Sequence, residues 1–185
     1  MTEVAVDAGL TRHGTNPAQL LERIFRDIHL TRMQGLPVLN DALDVEAVGF
    51  RPWCGHWLGV LITPWFMNVM LLPGPQAPWP HVPPGGKRDW QLPSGVYSFI
   101  VGRETRLGDY HMCSLFSPVF ELPDPATARL TALAALEALL KPADYARNVA
   151  TAVPPGPVAT VVDKLEQPMS KRDFLRGGVF RRDGS

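Results

Sequence analysis

Hydrophobic residues gather most densely between residues 57 and 75, where the chain reads Trp-Leu-Gly-Val-Leu-Ile-Thr-Pro-Trp-Phe-Met-Asn-Val-Met-Leu-Leu-Pro-Gly-Pro. Its length and β-branched content predict a buried strand over 57–63. Pro64 cannot donate to a ladder, so pairing stops or bends there. A second apolar run, 66–72, follows too closely for a crossover helix and therefore pairs antiparallel with the first. Upstream, residues 44–53 alternate with Val45, Ala47 and Phe50 on the inward side, and 53–56 turns the chain into the central strand. Downstream, 96–101 and 110–116 read as two more strands, with Gly108 supplying the turn between them.

Two helices flank these strands. The first spans 16–33: Asn16 caps it, Pro17 is preset for the first helical position and Gln19 completes a capping-box pattern. Leu20, Leu21, Ile24, Phe25 and Ile28 form its buried stripe, and Glu22 and Arg26 pair on the outer side. The second spans 125–140, opened by Asp124-Pro125, with Leu130, Leu133, Leu136 and Leu140 as its apolar face. A short helix over 143–150 is weakly patterned. The expected fold is α+β, an antiparallel sheet of about five strands packed against an N-terminal and a C-terminal helix. Residues 1–15 read as a mobile lead-in, 16–153 as one domain, and 154–185 as a Pro/Gly linker with a flexible basic tail.

Between the strands, residues 73–93 carry a proline-dense loop too long to be an idle connection. Of the 19 prolines in the chain, those in this loop stiffen it and lower the cost of ordering it on a partner. Trp79 and Trp90 add rigid apolar area of the kind found at interface hot spots. The bland alternative folds both indoles back onto the sheet. With Trp57, Pro64, Trp65, Pro73, Gly74, Pro75, Pro80 and Pro93 they make a candidate partner-binding surface, with Lys87, Arg88, Arg103 and Arg106 at its rim.

Composition narrows the classes. The chain has 185 residues, of which 45% are hydrophobic and 19% charged. A domain of that size buries roughly 70% of its unfolded surface without staples. Zero net charge leaves no global field for nucleic acid. The N-terminal stretch lacks the apolar core of a signal peptide, no run is long enough for membrane insertion, and two cysteines are too few for a disulfide framework. These features predict a cytoplasmic protein.

Catalytic signatures are missing: the sequence contains no Gly-x-Ser-x-Gly elbow, phosphate loop or His-Glu-x-x-His. Ser114 and Ser117 near His111 are weak evidence for a nucleophile. One alternative to a binding protein is a metal- or redox-active carrier. Cys54 and His56, and likewise His111 and Cys113, share a strand face by period two, so neighbouring strands in register could form a tetrahedral site. A buried thiol and a hydrogen-bonded imidazole are the more ordinary reading.

Gly55-His-Trp57 with Gly59, Ile62-Thr-Pro-Trp65, Leu72-Pro-Gly-Pro75, Trp79-Pro80, Gln91-Leu-Pro93 with Gly95, Phe99 with Gly102, Tyr110 and Cys113-Ser-Leu-Phe-Ser-Pro118 occur in order over residues 45–120. This set resembles the HybE-type (HupJ/HoxT-like) [NiFe]-hydrogenase assembly chaperones. The resemblance implies a non-enzymatic cytoplasmic chaperone without a cofactor that holds precursor subunits back from twin-arginine export. The small-subunit precursor is the implied client, with the large-subunit precursor and other maturation proteins as further partners; some members are linked to assembly under oxygen.

The tail segment containing Ser170, Lys171, Arg172, Phe174 and Leu175 is similar to a twin-arginine consensus, although it stands at the wrong end to direct export; the alternative is a chance match in a solvated basic tail. As a mimic, it would occupy a groove meant for a client's signal. Deleting residues 164–185 is then expected to raise affinity for a signal peptide in a titration. Unchanged or weaker binding counts against mimicry.

Overall fold

The computed structural model describes residues 10–142. The short helix expected over 143–150, the basic tail with its signal-like segment and the first nine residues lie outside the described residues. The described chain is α+β: helix α1 (Ala18–Ile28), a π-helical turn (His29–Met33), strands β1 (Glu46–Trp53), β2 (His56–Ile62), β3 (Met67–Leu72), β4 (Lys87–Leu92), β5 (Gly95–Glu104) and β6 (Gly108–Phe116), and helix α2 (Pro125–Leu140). Six strands form one sheet in the order β1-β2-β3-β6-β5-β4, all neighbours antiparallel. The sheet is therefore two three-strand meanders joined where β3 meets β6.

The additional strand is β4, which lies within the stretch expected to be a loop. It is an edge strand, with Lys87, Arg88, Asp89 and Gln91 exposed and Leu92 buried. Charges on an edge prevent edge-to-edge pairing, and they also erase the apolar alternation by which a strand is recognised. The remaining connection, 73–86, is a strap that leaves β3 and reaches the far edge, passing β6 and β5.

Period-two alternation divides the core. Leu58, Val60, Ile62, Met67, Val69 and Leu71 join α2 residues on one side, while Leu61, Met70 and Leu72 join α1 residues on the other. Every residue of β3 is buried, as expected of a central strand covered on both faces.

Helix α1 begins as the sequence implies only in part. Asn16 Oδ1 accepts from Ala18 N–H at 3.0 Å, whereas Asn16 Nδ2 donates to the carbonyl of Phe50 at 3.1 Å; Gln19 makes no reciprocal cap. Leu21, Ile24 and Phe25 are its buried residues. Its final turn, expected as α-helix, is π-helical, and Thr31 Oγ1 donates back to the Asp27 carbonyl at 2.6 Å.

Helix α2 is capped by Asp124, which accepts from Thr127 N–H at 2.8 Å, but its buried face is not the leucine stripe. Ala128, Thr131, Ala132, Ala135, Leu136 and Leu139 are buried, while Leu130 and Leu133 are 69% and 41% exposed. Alanine and leucine occur on all sides of this helix, so the pattern carries no direction. The small side chains instead allow close approach to the sheet, where a Cβ on Gly49 would lie 2.8 Å from Leu136 Cδ2.

Residues 10–15, within the expected lead-in, are tied down. His13 N–H donates to the Pro73 carbonyl at 3.0 Å, and the Trp57 indole donates to the His13 carbonyl at 2.9 Å. Immediately beyond Pro73, a Cβ on Gly74 would stand 1.7 Å from the Gly55 carbonyl oxygen. Because that obstacle is backbone, Gly74→Ala is expected to cost on the order of 3 kcal/mol, read as a lowered urea midpoint. An unaltered midpoint would show that the two backbones can part cheaply.

Candidate functional site

The β1–β2 connection is a two-residue turn, Cys54-Gly55, with φ of 49° and 79°. Left-handed values at both central positions are those of a tight hairpin whose twist matches the strands. The turn sets Trp53 opposite His56 at the end of the sheet where β3 exits. His56 is buried, and its Nδ1 accepts from Gly74 N–H at 3.4 Å. On β6, His111 is fully buried, and its Nδ1 accepts from the Trp90 indole at 2.8 Å.

Trp79 enters from the strap. Arg12 holds one end of the strap, donating to the carbonyls of Gly74 at 3.2 Å and Ala77 at 2.7 Å. At the other end Gly85 N–H donates to the Val101 carbonyl and Val101 N–H to the Gly86 carbonyl, at 2.8 and 2.9 Å. Thus pinned, Trp79 lies tilted against His111 with ring centroids 4.2 Å apart and meets His56 edge-on at 5.2 Å. Trp90 is 6.0 Å from Trp79 and 6.1 Å from Trp53. The three indoles are half-buried and pack against the α2-side core.

Both imidazoles are held neutral. Burial lowers His111 to about 4; Asp109 opposes this, and Arg88 and any charge on His56 add to it. Burial, then Arg12, lowers His56. Since each Nδ1 accepts, the ring proton resides on Nε2 in both. His111 Nε2 is buried without a hydrogen-bond partner, so the site contains an N–H donor that nothing among the described residues accepts.

This chemistry opposes the four-residue metal site. A ring whose Nδ1 accepts from Trp90 must keep its proton on Nε2 and offers no lone pair there. Strand β3 separates β2 from β6, Cys54 is exposed at its turn and Cys113 is half-buried, with burial pushing its thiol up to about 11. Among the described residues no three His, Cys, Asp or Glu side chains gather to hold an ion. Ser114 is also no partner for His111. The two lie three positions apart on β6 and so on opposite faces of the sheet, and Ser114 is exposed.

The expected docking residues are divided by the sheet. Trp79 and Trp90 come together on the α2 side, whereas Trp57 and Trp65 pack on the α1 side, Trp65 against His29 at 5.7 Å and Phe66 at 5.5 Å. Pro64 is buried in the β2–β3 hairpin, Pro73 and Gly74 are buried at the exit of β3, Pro80 is half-buried, and Pro75 and Pro93 are exposed. Of the expected rim cations, Arg103 pairs with Asp109 and Arg106 with Asp27. Trp53, His56, His111 and Arg12 belong to the site and were not expected in a docking surface.

The model of the family described as [NiFe]-hydrogenase assembly, chaperone, HybE matches residues 16–177. The chain belongs to that family. It is 39% identical over 165 residues to the hydrogenase expression/formation protein HupJ of Bradyrhizobium diazoefficiens, covering 89% of this chain and 90% of that one. It is 41% identical over 137 residues to the protein HoxT of Cupriavidus necator, covering 64% and 73%. The solution structure of HybE from Escherichia coli shares the fold, with a TM-score of 0.60 at 24% identity over 96% of each chain. At the level the family sets, the function is [NiFe]-hydrogenase assembly. Among the described residues no helix is long and apolar enough to cross a membrane.

Neutral His111 gives this HybE-family chain a defined response to acid. Above the ordinary histidine value of 6.5 both folded and unfolded chains leave the ring neutral. Below it the unfolded chain takes up a proton that the fold refuses until about 4, so stability falls across that window as pH falls. The His111 share is on the order of 3 kcal/mol. Urea unfolding between these pH values is expected to show a shallower decline for His111→Gln than for the parent chain; equal slopes would remove His111 as the cause.

Proposed function

We propose that this chaperone acts without catalysis, in the cytoplasm, by binding precursor subunits of a [NiFe] uptake hydrogenase at the end of the sheet built by Trp53, Trp79 and Trp90. The observation that carries this reading is a half-buried cluster of three indoles fixed to a rigid sheet and a pinned strap. Rigid aromatic area loses little entropy on binding and is typical of interface anchors. The small-subunit precursor with its twin-arginine signal is the proposed client, and retention of that precursor until its assembly is complete, under oxygen included, is the proposed service. The family's assembly role supports a precursor as the partner, with the large subunit as the competing client.

Trp53→Ala combined with Trp79→Ala is expected to reduce co-purification of the small-subunit precursor by about tenfold or more. Trp65→Ala, altering the α1 side, leaves capture intact, and thermal transitions recorded in parallel separate lost binding from lost folding. Pull-downs with each precursor, with and without its signal segment, identify the client. Full capture by the folded double variant would remove the indoles from the interface.

A further inference from the structure

The charge around the indoles restricts what can sit on them. Arg88 lies on β4 two residues before Trp90, hence on the same face, where its cross-strand neighbour is Phe99. It is exposed and forms no ion pair among the described residues, yet it is close enough to depress the titration of His111. Arg12 acts likewise on His56 and donates to two carbonyls, with no carboxylate partner among the described residues. The carboxylate that does bear on His111 is that of Asp109, already held by Arg103 at 2.5 and 3.0 Å. Asp109 outweighs Arg88 at the His111 ring, but its oxygens are engaged by Arg103, so the groups left to a ligand are the Arg88 guanidinium, apolar ring faces and the unaccepted Nε2–H of His111.

A buried donor without an acceptor costs about 1–3 kcal/mol, and a ligand that accepts from it recovers that loss. Cation–π capture of a basic group, which three indoles could otherwise provide, is opposed by the guanidiniums of Arg88 and Arg12. Resting on the binding function proposed above, we infer that this end of the sheet receives an acidic peptide segment of the client. An Asp or Glu side chain lies against Arg88 and His111 Nε2–H, and its apolar neighbours lie on Trp53 and Trp90.

The test uses the full chain and short peptides blocked at both ends, carrying one Glu between leucines, with the Gln peptide as its uncharged match. Indole fluorescence reports binding because three of the five tryptophans line the site. The Glu peptide is expected to bind about tenfold more tightly than the Gln peptide, and the preference should weaken as salt is raised. Arg88→Ala, a surface change, brings the two affinities together without moving the thermal transition. Equal affinities in the parent chain, a preference retained in Arg88→Ala, or tighter binding of a Lys peptide each overturn the inference. So does a Gln peptide with a free C-terminal carboxylate that matches the Glu peptide, since it would assign the site to chain ends. Normal capture of the client without any Glu preference defeats only the acidic-segment inference. Client capture that survives loss of the indoles defeats the underlying binding reading.

Discussion

The hydrogen bond from Trp90 to His111, 2.8 Å long, couples features that would otherwise be independent. It spans from the edge strand β4 to β6, crossing β5, and so fixes an exposed edge to the centre of the sheet. It also selects the imidazole tautomer, and with the surrounding burial it keeps the ring neutral. A neutral ring can be covered by Trp79, whereas an imidazolium there would need solvent or a free carboxylate. The placement of the strap and the unaccepted Nε2–H both follow from that one bond. An aliphatic residue at 111 would fill the core but would leave the Trp90 indole without its acceptor.

Close backbone approach is the second constraint, and it accounts for several residues of the family-like set. A Cβ on Gly59 would enter the ring of Phe50 at 2.4 Å, and one on Gly102 would enter the ring of Tyr110 at the same distance. These are exchanges of small for large across neighbouring strands, the sheet counterpart of a knob in a hole. At Gly74 the obstacle is the Gly55 carbonyl, and Gly55 itself would meet Ala77. The turn, the exit of β3 and the start of the strap consequently form one packed unit, which is what holds Trp53, His56 and Trp79 at a common end.

Much of this was legible because the relevant signals are local. Pro64 breaking a hydrophobic run predicted the β2–β3 hairpin, and Asp124-Pro125 predicted the start of α2. The failures share a cause, since they depended on which strand lies beside which. β4 was hidden by Lys87, Arg88 and Asp89, residues suited to an exposed edge. The leucine stripe of α2 failed because alanines allow the closer contact. Trp65 and Trp79 looked equivalent in sequence, yet a residue's side of the sheet depends on parity along its strand and on the path of the strap. The pairing of Trp90 with His111, twenty-one positions apart, required β6 to insert between β3 and β5. No spacing rule gives that arrangement, although the shared parity of His111 and Cys113 on β6 was visible.

Dividing the sheet by face also explains how one small domain can be both stable and receptive. On the α1 side, Phe25 packs edge-on with Phe66 and Tyr110 at 5.9 and 6.4 Å, and Trp57 ties the N-terminal segment down, so aromatic area there is consumed by the fold. On the α2 side the helix packs onto β1 and β2, leaving Trp53, Trp79 and Trp90 only half-buried at its margin. Tryptophan is half-buried on both sides, but only on the α2 side do three indoles gather around two buried imidazoles. Stiffness supplied by the strap's prolines and by Arg12 limits what must be ordered when a partner arrives. Neutral imidazoles, a thiol kept protonated and a paired Asp109 leave that surface with little reactive charge of its own, which is consistent with the proposed binding of a precursor subunit.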